Sequence, residues 1–120
     1  MAEAIVVTAE FRLKPGHVDE WLRLMLDHYG PACVEEQGML RYWLHHDDDD
    51  PAHILLYEQW ADRRDFEASM RADWREPYLR DTEPLWDKPR IVTVYRMIET
   101  PWEPLNVDGL PASLPVGGYR

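Results

Sequence analysis

The sequence predicts an α+β domain: one four-stranded antiparallel sheet with helices on one of its faces. Three observations carry the prediction. Four short runs rich in β-branched and aromatic residues are bounded by turn residues. Between the first and second runs, and again between the third and fourth, apolar residues recur at helical spacing. A length of 120 residues with 45% hydrophobic content suits one domain and one core.

The first run, AIVVTAEFRL (residues 4–13), is β-branched early and alternates later, which marks a strand. KPG (residues 14–16) turns the chain. From His17 the period changes: Val18, Trp21, Leu22, Met25, Leu26 and Tyr29 lie on one helical face, and the helix is expected to reach about Glu36. Pro31 removes a backbone donor and should kink or divide it, and Gly38 is a stop signal. MLRYWLHH (residues 39–46) and AHILLYEQW (residues 52–60) then form a hairpin around DDDDP. Asp62 is a natural N-cap, with Asp65 favoured by the positive helix terminus and Phe66 and Met70 sharing a face. A further short helix starting near Asp73 or Trp74 accommodates Pro77 in its first turn and carries Tyr78, Leu79 and Leu85, with Trp86 expected at its end. IVTVYRMI (residues 91–98) is the fourth strand. The order βαββαβ, with the second helix broken in two, is ferredoxin-like. Residues 1–98 form this domain. Residues 99–120, with four prolines, are read as an arm laid over the domain or its partner.

The strand runs IVV, ILLY and IVTVY are apolar on both faces, whereas the helices can cover only one. A homodimer built through the other sheet face is the expected solution. A net charge of −10 with no basic stripe excludes nucleic acid and an acidic membrane surface as partners. No apolar run approaches the roughly 20 residues of a membrane span, and the N-terminus lacks the pattern of a secretory signal. Cys33 is the only cysteine, so no internal disulfide forms, which suits a reducing cytoplasm. Buried and inert is its expected state.

The histidine–aspartate loop at residues 45–51, with His53 opposite, lacks the ligand spacing of a calcium or zinc site and reads as a solvated turn; no metal or other cofactor is expected. His28 flanks the helical apolar face three residues after Met25 and could act as a base in a helix–sheet cavity. Six tryptophans and six tyrosines in so short a chain exceed what packing needs, because indole and phenol each require a polar partner. Trp21, Met25, Tyr29, Trp74, Tyr78 and Trp86 from the helices, and Trp43 and Tyr57 from the strands, are candidates to line a pocket for a flat aromatic ligand; core filling is the alternative for each. Arg96, like Arg41, sits in an apolar strand, either pairing with Glu58 or Glu10 or steadying an anionic intermediate.

RLKPGHVDEW, EEQGMLRYWL and YEQWADRRDFEASM, in this order, resemble the antibiotic biosynthesis monooxygenase family over about residues 5–98. The resemblance implies a dimeric α+β barrel, a pocket between helices and sheet, and a cofactor-independent oxidation of a phenol, quinol or polyketide-type substrate. Family members often carry two histidines in the helix after E-x-W; Ser69 and Trp74 stand there, which removes the iron ligand of haem-degrading relatives. A non-oxidative cyclase or isomerase and a non-catalytic binding protein are the alternatives within the same pocket.

Overall fold

The computed structural model describes residues 3–98 and Pro101. The expected C-terminal arm therefore lies, apart from that proline, outside the described residues. Four strands, β1 (Ile5–Leu13), β2 (Met39–His46), β3 (His53–Trp60) and β4 (Trp86–Arg96), form one sheet in the order β2-β3-β1-β4. Every neighbouring pair is antiparallel. The helices lie on one face, and the fold is the ferredoxin-like α+β arrangement.

Alternation sorts each strand between two environments. On β1, Ile5, Val7, Ala9, Phe11 and Leu13 are buried under the helices, and on β3, Ile54, Leu56, Glu58 and Trp60 are. Register carries this parity across the sheet: Val7 lies opposite Val94 and Ala9 opposite Val92, so these valines share the helix side. Tyr42 opposes Glu58 on the same side. The other face is open. Trp43 stacks on Tyr57 there with ring centroids 5.6 Å apart, and Leu55, Ile91 and Tyr95 are exposed beside them.

The first helical stretch is divided into α1 (Val18–Leu24), a π-helical turn (Met25–Tyr29) and α2 (Gly30–Val34). Pro31 stands in the first turn of α2, where its missing N–H matters least. The wide π turn resets the ladder just before it: the Gly30 N–H reaches back to the Met25 carbonyl, one residue further than in an α-helix. A Cβ on Gly30 would stand 2.5 Å from that same carbonyl oxygen, so this turn needs glycine. Asp62 caps α3 (Arg63–Ser69) by accepting from the Arg64 N–H, as the sequence predicts. A short turn leads to α4 (Arg75–Thr82) and a single 3₁₀ turn (Glu83–Leu85).

β4 corrects the sequence reading. It begins at Trp86, five residues before the expected start, and takes Trp86 out of the helix. Pro89 concealed this, since proline argues against a central strand. On an edge strand the missing N–H costs no ladder bond, and the pairing with β1 slips around Glu10 to Leu13 to accommodate the passage.

Candidate functional site

Between α4 and the sheet, a small cavity of about 30 Å³ lies over the middle of β1 and β3. It has room for about two water molecules, at roughly 10–15 Å³ each. Met25 from the π turn, Trp74 and Tyr78 around α4, Phe66 and Met70 around α3, and Leu56 from β3 give it an apolar, aromatic wall. Tyr29 stands behind that wall, 5.4 Å from the Tyr78 ring and 6.5 Å from Trp74, and its hydroxyl donates to Asp81 at 2.6 Å.

Set into this apolar wall are polar groups. Glu58 is only 6% exposed, and its carboxylate accepts from the Trp60 indole N–H at 2.9 Å. Burial pushes its pKa up; the Trp60 bond and the charges of Arg75 and Arg90 pull the other way without cancelling the effect. Arg75 lies over the Trp74 ring at 4.2 Å and is held by Ser69, which accepts from the guanidinium through both its carbonyl and its hydroxyl. The Ser69 hydroxyl in turn donates to Glu36 at 2.7 Å, and the same Glu36 oxygen accepts from the Trp74 indole at 3.0 Å. Arg90 reaches in from β4 and donates to the Tyr78 hydroxyl at 3.0 Å. Cys33 and Tyr42 close the floor. Burial pushes the Cys33 thiol up to about 12 and raises Tyr42 and Tyr78 as well, so all three stay neutral near pH 7.

Of the residues expected at a site, Met25, Trp74 and Tyr78 line this cavity and Tyr29 backs it. Trp21 and Trp86 pack at the other end of the core against Phe11, at 4.9 and 5.7 Å; their indole N–H groups have no partner among the described residues. Trp43 and Tyr57 belong to the opposite sheet face, a consequence of strand parity. His28 is exposed and does not line the cavity, because the π turn rotates it away from the sheet. Arg96 is also at the surface, beside Glu3 at 3.6 Å rather than Glu58 or Glu10. Arg41 lies beside Trp43 on the open face and donates to the Leu40 carbonyl. The aspartate loop holds no cluster suited to a metal among the described residues; His53 is clamped between Glu10 at 2.6 Å and Asp47 at 3.0 Å.

Sequence reading missed Glu58, Arg75, Arg90 and Glu36. A signal for Glu58 existed: in "YEQW" it shares the strand parity of Trp60, Leu56 and Ile54, so a buried Trp60 implies a buried Glu58. Nothing comparable marks Glu36, which approaches Ser69 only through the tertiary fold.

At this size the cavity holds too little space for an aromatic ring, since a cavity that admits benzene measures roughly 150 Å³. Met70 and Val92, 40% and 45% exposed, stand on its open side and are the groups whose displacement would enlarge it.

Comparison with known proteins bears on this geometry. A conserved protein from Methanosarcina mazei Go1 superposes with a TM-score of 0.73 at 23% identity, over 78% of this chain and 92% of its own. SnoaB, a cofactor-independent oxygenase from Streptomyces nogalater, gives 0.73 at 15% identity, over 85% and 100%. Rv0793 from Mycobacterium tuberculosis gives 0.70 at 22%, over 82% and 99%. At these identities the likeness speaks for the fold. No curated protein sequence matches. The family model described as antibiotic biosynthesis monooxygenase matches residues 4–76, more than half of the 120, and the chain belongs to that family.

Proposed function

We propose that the protein is a monooxygenase that oxidises a small, electron-rich aromatic substrate, a phenol or quinol, whose own ring supplies the electrons for dioxygen. The observation that carries this reading is the buried Glu58 carboxylate facing an aromatic cavity in which Arg75 and Arg90 also stand. A carboxylate whose pKa is raised by burial is a better base than one in water. Glu58 takes the role that the sequence offered to His28: it removes the phenolic proton. The arginines and the Tyr78 hydroxyl steady the phenolate, while Trp74 and Tyr78 hold the ring. The phenolate then passes an electron to dioxygen, the radical pair joins at a ring carbon, and the peroxide loses water to leave a carbonyl. One oxygen atom enters the product and the other leaves as water with two substrate hydrogens. The apolar wall serves this sequence by keeping bulk water from the radical pair.

The likeness to SnoaB in fold and the family membership support this class of reaction. The open apolar sheet face, with Trp43, Leu55, Ile91 and Tyr95 exposed, supports a homodimer formed through it.

The test is oxygen consumption by metal-stripped, flavin-free protein over a panel of quinols and anthrones, with product mass recorded. Glu58→Gln should lower kcat by about 10²–10⁴-fold with its fold retained. Absence of oxygen uptake across the panel, or undiminished turnover by Glu58→Gln, would overturn the proposal. Conversion without added oxygen would indicate a cyclase or isomerase instead.

A further inference from the structure

Resting on that reading of the cavity, we infer that its substrate is an aromatic anion: a hydroxylated ring that also bears a carboxylate, which Arg90 and Arg75 receive. The chain carries 23 acidic and 13 basic side chains. Arg12, Arg63, Arg64, Arg80 and Arg96 each pair with a carboxylate, at 2.9–3.9 Å. Arg75 and Arg90 are among the seven cations with no such ion pair among the described residues, and of these seven they alone line the cavity. Both guanidinium carbons lie within 6.0 Å of the Tyr78 ring centroid, so both stand against the same cavity ring.

The charge of the wall points the same way. Glu58 is the one carboxylate among the described lining residues, against two guanidiniums, and Cys33, Tyr42 and Tyr78 remain neutral. Glu36 offsets part of the charge of Arg75, but only across the Ser69 hydroxyl. Arg90 feels the Glu58 carboxylate across the cavity but forms no ion pair with it. It donates once, to the neutral Tyr78 hydroxyl, and its other N–H groups have no partner among the described residues. A half-buried guanidinium with unused donors is a ready seat for a carboxylate, which it can hold through two parallel bonds. Arg90 also lies over the Trp86 ring at 5.4 Å, a cation–π contact that helps hold it in place. The same charge excess favours ionisation of the ring hydroxyl beside it, so recognition and proton removal draw on one set of groups.

The experiment compares two probes that differ only in this group: 1,4-dihydroxy-2-naphthoate and 1,4-dihydroxynaphthalene, titrated calorimetrically under argon at pH 7.5. The carboxylate should bind about tenfold tighter or more. Added salt should weaken its binding and spare the neutral probe. Arg90→Gln should bring the affinity ratio towards one, and Arg90→Lys should retain part of it. Equal affinities in the wild type, or a ratio unchanged in both Arg90→Gln and Arg75→Gln, would overturn the inference. The wild-type comparison decides even if a variant fails to fold. Its failure is separable from that of the monooxygenase reading: tight carboxylate binding without oxygen uptake removes the reaction alone, and equal uptake with both probes removes the anion site alone.

Discussion

Replacing Gly30 by alanine should destabilise the protein, against the usual rule for helices. In an ordinary helix interior alanine is favoured over glycine by about 1 kcal/mol. Gly30 has a helical φ of −60°, so no backbone strain opposes the change. The obstacle is contact: the new Cβ would lie 2.5 Å from the Met25 carbonyl oxygen and 3.6 Å from the Tyr42 ring. The oxygen belongs to the backbone and accepts the Gly30 N–H, so it cannot move without breaking the π turn. Relieving such an overlap in a packed region costs about 1–3 kcal/mol. After the propensity gain is subtracted, a net loss of up to about 2 kcal/mol remains, or a fall of several degrees in Tm for a domain of this size. Met25 and Tyr29 bound the same turn, so the cavity should loosen with it. Urea unfolding followed by far-UV circular dichroism gives the first quantity, and ligand-induced shift in Tm gives the second. A Gly30→Ala protein more stable than the parent, as helix propensity alone requires, would refute the argument, because it would show that the close approach to Met25 does not hold the turn.

Glu58, His53 and Ser69 give three further outcomes. Glu58 has a folded pKa above its unfolded value, so its contribution favours folding at low pH and is lost as pH rises through the raised value; Glu58→Gln should therefore gain in relative stability as pH rises from 4 to 8, as Tm measured across that range will show. His53 is raised by its bonds to Asp47 and Glu10, so it stabilises fully below its ordinary pKa and loses that effect as pH rises through the raised one; the stability gap to His53→Gln should be widest near pH 5–6 and close in alkali. Ser69→Ala removes a buried hydroxyl that donates to Glu36 and accepts from Arg75, and should cost about 1–3 kcal/mol in urea unfolding, with a change in Trp74 emission.

The strands and their order were legible because β-branched and aromatic runs act locally; the start of β4 was not, because Pro89 interrupts its run. The caps were legible because they too are local: Asp62 needs only the Arg64 N–H two residues on. Strand parity was not, and it separates Trp43 and Tyr57 from the cavity aromatics. The runs that were apolar on both faces erased the alternation from which parity is read. The site itself depends on long-range meetings. Glu36 meets Ser69 and Trp74 across 33 and 38 residues, and no spacing rule announces such a pairing. His28 followed the expected α-helical period, and the π turn altered that period by one residue, which turned it to solvent.

The helical layer ends before it reaches the whole sheet. Val92 and Val94 share the helix side with buried Ala9 and Val7, yet stand 45% and 39% exposed. The cavity is thus built at the eave of a roof, not beneath its ridge. A change of cavity size can be met by lengthening or shortening the segment between Met70 and Trp74, with the strands that carry Glu58 and Arg90 left untouched. The room beside Glu58 and Arg90 is therefore set by an overhang, and attempts to enlarge the cavity should begin there.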